Sequence, residues 1–310
     1  MSLAPEPAAL AVTVRAPAKI NLYLGVGPVR ADGFHPLDTV YQAISLYDDV
    51  TATEADEWSV EVTPVGDVDV ASVPLDGDNI AVRAGRMLVE HHGLDRCARI
   101  SIAKGIPVAG GMAGGSADAA ATLVALDRLW HLDTSDEDLL GLAAELGSDV
   151  PFALVGGTAY GSGRGEFVEA AQDNGTWWWI VVPNAEGLST PVVYRAFDDA
   201  APTERADGGT ASSKRVLAAL RIASLDALRT GVHNDLQAPA LALRPDLAPA
   251  RQALADAGAT PLLSGSGPTM LGLADGQQHA QQVREFLLDA GHPALVATGP
   301  VAGAHLVEYV

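Results

Sequence analysis

The densest chemical signal in the chain is Pro107-Val108-Ala109-Gly110-Gly111-Met112-Ala113-Gly114-Gly115-Ser116-Ala117, which runs on into Asp118-Ala119-Ala120. Four of the six residues 110–115 are glycine. Glycine lets a backbone turn several N–H groups toward one point with no Cβ in the way. An apolar, β-leaning run (98–103) precedes the segment. Ala119, Leu123, Leu126 and Trp130 follow at i, i+4, i+7 and i+11, the spacing of one helix face. The pattern predicts a strand, a glycine loop and a helix N-terminus. The helix start would add unpaired N–H groups and the positive end of its dipole, and together these make a cradle for phosphate. A flexible loop, or close packing permitted by small residues, accounts for the same composition. Two familiar phosphate loops do not fit: no Lys follows the glycines, and Gly110-Met112-Gly115 is not G-x-G-x-x-G.

Three further places carry chemistry. Lys19 lies inside the apolar run Ala16-Pro17-Ala18-Lys19-Ile20-Asn21-Leu22, in a chain with only three lysines (Lys19, Lys104, Lys214) against sixteen arginines. A lysine there is a compact point charge for a phosphate or carboxylate, or a strand-edge side chain in solvent. Phe34-His35 follows the Asp32-Gly33 turn and offers an aromatic face beside a ring with donor and acceptor nitrogens. That pair suits a nucleobase, or an aromatic packed under a loop with a surface His. Asp149, in Ser148-Asp149-Val150-Pro151, reads as the N-cap of a short helix with Pro151 in its first turn. It also reads as a carboxylate acting as base or orienting group for an alcohol.

The elements that must position these residues follow from periodicity and turn signals. Residues 12–26 read as a strand, a small-residue link and a second strand. Strands are expected at 39–50, 60–63 and 98–103, with a helix over 79–91 and an exposed acidic loop over 66–78. Thr134 and Glu137 form a capping-box signature that opens a helix ending at Gly147. A strand leading into turns covers 156–165. The second half offers a buried strand at 177–183, a helix starting at Thr190-Pro191 with Tyr194 on its first turns, and a polar loop over 200–214. Helical runs cover 216–230 and 247–257, and His233-Asn234-Asp235-Leu236 has a helix-start context. A strand, glycine turn and strand span 261–273, either a plain hairpin or a Gly/Ser nest that buttresses the first. A helix (277–290) and a strand (294–298) come last.

Bulk composition narrows the function classes. The chain has 310 residues, 48% of them apolar, enough for two domains or one large one. Acidic residues outnumber basic ones 39 to 19, a formal charge of −20. Such a surface repels nucleic acid and anionic membranes at long range, so a phosphorylated ligand must be held by local features. Cys97 is the only cysteine, which leaves no disulfide framework and no Cys-based zinc site, and fits a reducing cytosol. Residues 1–7 lack a basic signal-peptide start, and no apolar run reaches the roughly 20 residues of a membrane span.

The ordered set Pro17-Ala18-Lys19-Ile20-Asn21-Leu22, Arg30-Ala31-Asp32-Gly33-Phe34-His35, the segment 107–120, Leu146-Gly147-Ser148-Asp149-Val150-Pro151 and Ser264-Gly265-Ser266-Gly267 resembles the GHMP small-molecule kinases across nearly the whole chain. The resemblance implies an α+β, two-domain fold: an N-terminal ribosomal-protein-S5-like ATP-binding domain (1–161) and a C-terminal ferredoxin-like α/β substrate domain (162–310). It implies ATP as co-substrate with Mg²⁺, and the whole loop from Pro107 to Ala117 around the ATP phosphates. Asp149 would be the general base and Lys19 its partner. Asn21 would hold the substrate's methylerythritol end. Phe34 would stack on a cytosine, His35 would bond its edge, and Tyr194 would form the opposite wall.

Through its Asp-Gly-aromatic-His and Gly-Ser-Asp-Val-Pro elements the resemblance implies the branch of the family that phosphorylates the 2-hydroxyl of 4-diphosphocytidyl-2-C-methyl-D-erythritol, on the non-mevalonate route to isoprenoid precursors. The chain departs from the family pattern at Phe34 (more often Tyr), Tyr194 (often Phe) and Ala117 (often Ser), which leaves Ser116 as the loop's hydroxyl. No metal-ligand set is assigned. The expected partners are ATP and a cytidyl diphosphate alcohol, with no nucleic acid and no membrane, in a cytoplasmic monomer or weak homodimer. The alternatives are a homoserine- or mevalonate-type kinase of the same family, a catalytically silent binding protein of that fold, and, more distantly, a Rossmann dehydrogenase.

Overall fold

The computed structural model describes residues 10–200 and 212–309; the readings of residues 1–7 and of most of the 200–214 loop lie outside the described residues. Strand β1 (Ala11–Val26) is continuous where the sequence suggests two strands and a link. Pro17 does not break it, because the irregularity falls on the neighbouring strand β2 (Leu37–Ala55). Pro17 pairs with Tyr47 and Ala18 with Ile44, so Ser45 and Leu46 bulge out of register. Side chains alternate along β1. Ala16, Ala18, Ile20 and Leu22 enter the core, and Lys19 and Asn21 share the other face.

Strands β3 (Ser59–Pro64) and β4 (Cys97–Lys104) pair in parallel, and β4 lies antiparallel to β2. Between them α1 (Ile80–His91) starts at Asn79, whose side chain accepts the Ala81 N–H. The glycine loop joins β4 to α2 (Gly114–Trp130). Helix α2 is buried on nearly all sides, and its alanines let it lie close to β1, β2 and α1. Helix α3 (Asp136–Leu146) starts one residue later than the capping box predicts. Thr134 is already engaged, its N–H by Asp127 and its hydroxyl by His92, so Ser135 is the cap and accepts the Asp138 N–H at 3.1 Å. The short α4 (Val150–Val155) and the hairpin β5 (Thr158–Ser162) to β6 (Phe167–Ala170) follow.

Next come β7 (Trp177–Val182), α5 (Thr190–Asp199), α6 (Ser213–Arg221) and α7 (Leu225–Gly231). The single helical run expected over 216–230 is broken. Asn174 takes the ending carbonyls of α6, its N–H on Leu220 and its Nδ2 on Arg221, while Ala223 turns left-handed (φ 50) and Ser224 caps α7. The chain continues through β8 (His233–Asn234), α8 (Gln237–Leu243), a 3-10 turn at Pro245–Leu247 and α9 (Ala248–Asp256). It finishes with β9 (Thr260–Leu263), β10 (Met270–Ala274), α10 (Gln277–Asp289), β11 (Leu295–Gly299) and β12 (His305–Tyr309). The helix start expected at 233–236 is that of α8, after the short β8, whereas strand β12 is absent from the sequence reading, which makes 294–298 the final strand.

Eight strands form one sheet with the order β12-β1-β2-β4-β3, with β5 and β6 continuing beside β2 and β8 beside β1. The other four form an antiparallel sheet, β11-β7-β10-β9. The sheets meet at β2: Trp179 donates its indole N–H to Gln42 at 2.9 Å, and the Thr298 N–H reaches Ser45 Oγ at 2.8 Å. Ser45 is one of the bulged residues, so the irregularity opposite Pro17 also docks the second sheet. Trp177 and Trp179 are buried and Trp178 is half-buried, as a core strand requires. Cys97 is a half-buried free thiol. Among the described residues no helix is long and apolar enough to cross a membrane.

Candidate active site

Every second residue of the glycine loop lies in the left-handed region: Ala109 at φ 54, Gly111 at φ 75 and Ala113 at φ 58. That alternation turns successive backbone N–H groups to one side, a concave nest for an anion. Two of the three positions are alanine, for which the conformation is unfavourable by roughly 1–2 kcal/mol each. The surroundings hold them there. The Ser264 hydroxyl donates to the Gly111 carbonyl at 3.1 Å. A Cβ on Gly111 would lie 2.4 Å from the Ser264 carbonyl and 2.8 Å from that of Gly267. The second glycine turn therefore buttresses the first, and Gly111 is glycine for close approach as well as for its φ.

The loop ends on α2, whose N-cap, Ala113, supplies no side-chain hydrogen bond. An uncapped 17-residue helix thus presents orphan N–H groups and its positive dipole end to a cavity of about 380 Å³ whose lining includes residues 107–111 and 113–115, Asp78, Asn79, Lys104 and Asp118. This is a fit for a triphosphate. The side chains of Met112 and Ala117 instead point into the core, so these two residues offer the loop only backbone. Ser116 is half-buried beside them. Among the described residues no group of three or more His, Cys, Asp or Glu is arranged to hold a metal ion.

A second cavity, about 580 Å³, adjoins the first, and Gly111 and Ala113 line both. At the junction stand Lys19 and Asp149. The Lys19 backbone N–H donates to the Met112 carbonyl at 3.1 Å, which fixes β1 to the loop. Lys19 Nζ lies 3.4 Å from Asp149 Oδ2, donates to Asn21 Oδ1 at 3.0 Å and sits 5.3 Å from the centre of the Tyr41 ring. Asn21 in turn donates to Thr39 at 2.8 Å, so its amide orients the lysine. Asp149 heads α4, yet its carboxylate makes no capping bond and faces the cavity. Burial, and then the Asp149 charge, raises the phenol pKa of both Tyr41 and Tyr194, so both rings stay neutral beside the carboxylate.

The far end of this cavity gathers Phe34, His35 and Tyr194. Phe34 is about half exposed, with the Arg164 guanidinium 4.9 Å from its ring centre. His35 is buried, with Nδ1 2.8 Å from the Gly27 carbonyl, and its ring lies 5.1 Å from that of Tyr194. A carbonyl only accepts, so Nδ1 carries the proton. His35 Nε2 is 3.3 Å from Asp198. The structure thus brings Lys19, Asn21, Asp149, Phe34, His35 and Tyr194 around one cavity with the loop at its edge.

Sequence reasoning passed over Arg164, Asp198 and Tyr41, which carry no local signal. It also passed over a buried cluster of Lys104, Asp48 and Asp118 beneath the loop, with Lys104 Nζ 2.6 Å from Asp48 and 2.8 Å from Asp118. A signal for Lys104 existed, since the scarcity of lysine that singles out Lys19 applies equally to it.

Comparison with known proteins gives a consistent result. A model of the GHMP kinases N terminal domain matches residues 79–157, and one of the GHMP kinases C terminal domain matches 216–293. A 4-diphosphocytidyl-2-C-methyl-D-erythritol kinase of Nocardioides sp. is 58% identical over 298 residues, 96% of this chain and 100% of the relative. Its counterpart from Streptomyces avermitilis is 48% identical, over 95% of this chain and 99% of the relative. A crystal structure of 4-(cytidine 5'-diphospho)-2C-methyl-D-erythritol kinase superimposes with a TM-score of 0.75 at 32% identity, covering 92% of this chain and 98% of that one. Homoserine kinase from Cytophaga hutchinsonii reaches the same TM-score at 18% identity, over 99% of this chain and 100% of that one, and shares the fold alone.

Proposed function

The chain belongs to the GHMP kinases, and from that premise we propose that it transfers the γ-phosphoryl group of ATP to the 2-hydroxyl of 4-diphosphocytidyl-2-C-methyl-D-erythritol. The observation that carries this reading is the meeting of the two cavities at Gly111 and Ala113, with the Lys19–Asp149 pair at the junction. Phosphoryl transfer asks a protein mainly for positioning and for charge stabilisation. The loop and the start of α2 hold the phosphates from one side, while Phe34, His35 and Tyr194 hold the cytosine at the far end of the other cavity. Residues from both halves of the chain line that cavity. Asn21 keeps Lys19 aimed at the junction.

The 2-oxygen of the alcohol forms a bond to the γ-phosphorus, the bond from that phosphorus to the bridging β–γ oxygen breaks, and ADP leaves. Asp149 accepts the hydroxyl proton or orients it until late in the step, and Lys19 stabilises the charge that develops between donor and acceptor. Mg²⁺ would arrive with ATP and would neutralise phosphate charge; Ser116 carries the loop's only hydroxyl. A single free thiol and a strongly negative surface suit the cytoplasm, where ATP is plentiful.

A ³¹P NMR time course with ATP, Mg²⁺ and the diphosphocytidyl alcohol tests this. The wild-type protein gives a new phosphomonoester signal and Asp149→Asn gives none. No signal from the wild type, with homoserine or mevalonate phosphorylated instead, would overturn the substrate assignment.

A further inference from the structure

The cluster beneath the glycine loop borders the smaller cavity, whose lining includes Lys104 and Asp118, but none of its side chains is among those given a phosphate- or alcohol-binding role above. Lys104 is the last residue of β4, and its ammonium bridges two aspartates. Asp48, on β2, is fully engaged. One oxygen takes Lys104, and the other accepts the Gly105 N–H at 2.8 Å and the Ile106 N–H at 2.9 Å. Those amides belong to the first two residues after β4, where the loop begins. Asp118 lies in the opening turns of α2, where the loop ends. In chain order, Asp48 grips the entry, Asp118 stands at the exit, and Lys104 joins the two. Lys104 Nζ also lies directly against the loop, 3.2 Å from where a Cβ on Gly114 would sit.

Asp118 differs from Asp48 in one respect. Only Oδ2 has a partner; Oδ1 is buried and has none. One oxygen is therefore all that the cluster uses. A single aspartate already neutralises Lys104, so electrostatics alone gives no reason for a second buried carboxylate, which is unfavourable to desolvate. Its position gives the reason.

We propose that Lys104 and Asp118 are positioning residues for the phosphate-binding loop: Lys104, anchored on Asp48, clasps Asp118 and so fixes the separation between the end of β4 and the first turns of α2. The clasp holds the left-handed alternation at 109, 111 and 113 in the shape a triphosphate meets. This rests on the reading of the loop as the ATP site.

Steady-state kinetics with ATP and the alcohol varied in turn test the clasp. Asp118→Ala removes the acceptor and raises KM for ATP about tenfold, with kcat and KM for the alcohol within about twofold of wild type. Asp118→Asn supplies one acceptor oxygen and no charge, and returns KM for ATP to within about twofold of the wild-type value. An Asp118→Ala protein with a lowered Tm and an unchanged KM for ATP would make the cluster simple core support. An Asn variant as impaired as the Ala variant would show that charge, not the clasp, is what matters.

A wild-type protein that fails to bind an unhydrolysable ATP analogue would defeat the kinase reading, whereas normal wild-type turnover with an indifferent Asp118→Ala defeats the clasp alone. Hydrogen exchange of the wild type gives a check that needs no variant to fold. The amides of 105 and 106 and those of 117 and 118, the first in α2 with carbonyl partners, exchange as one cooperative unit if the clasp holds, and independent exchange of the two ends overturns it.

Discussion

Lys19 and Lys104 both face aspartate on the large sheet, one midway along β1 and the other at the end of β4. At the junction of the cavities, Lys19 stands 3.4 Å from a single carboxylate whose side chain is 31% exposed. Beneath the loop, Lys104 is 2.6 and 2.8 Å from two carboxylates that are 0% and 4% exposed. The same two residue types give a loose, solvated pair in one place and a tight, sealed cluster in the other. A loose pair can exchange partners, which a reaction requires. A sealed one cannot, and so it serves geometry. The sealed cluster is also perturbed in its titration. Burial raises the carboxyl pKa of Asp118 well above the usual range. Burial alone would lower the Lys104 ammonium, but Asp118 and Asp48 outweigh it and raise the net value.

The contrast predicts that variants of the open pair lose rate and variants of the sealed cluster lose stability. The largest effect belongs to Asp149→Asn, which lowers kcat about 10³-fold with KM for the alcohol changed only a few fold; a coupled ADP-release assay reads both. Lys19→Met follows, lowering kcat about 10²-fold at nearly unchanged Tm, since the aspartate it leaves behind remains solvated. Lys104→Met reverses the pattern. It leaves two carboxylates buried together and destabilises the fold by about 3–5 kcal/mol in urea titration. A stable Lys104→Met protein would erase the distinction between the regions.

Phe34→Ala, on the open side, raises KM for the alcohol about tenfold through lost base stacking and leaves Tm alone. Smallest is a pH effect. The folded-state pKa of Asp118 lies above its unfolded value of 3.8, so its contribution is fully present below about pH 4 and is lost as pH rises through the raised value. The stability of wild type relative to Asp118→Asn therefore declines as pH rises from about 4, and a flat difference would contradict the burial of that carboxyl.

What was legible in the sequence divides along the same line. Lys19, Asp149 and the glycines announce themselves through local pattern: a cation in an apolar strand, an acid before Pro, four glycines before a helix. The buttress at 264–267 was one of two readings of its turn, and the Ser264–Gly111 contact supports it. The sealed cluster was not legible, because its members come from β2, β4 and α2 and meet only in three dimensions. The strand expected over 98–103 stopped one residue short of Lys104. The cap at 134 was displaced by one residue because Asp127 and His92 competed for Thr134, a contest set by tertiary contacts. Strand β12 was missed because five residues carry little periodicity of their own.

Strands β1 and β12 lie side by side, Val12 opposite Tyr309, although every other strand of the described residues lies between them in the chain. During synthesis on a ribosome β1 emerges before all of those strands and β12 after them. Until then the strand that carries Lys19 has its outer side unpaired along residues 12–15, open to any extended chain that passes. The nascent chain therefore carries an unprotected sheet margin until β12 has been made.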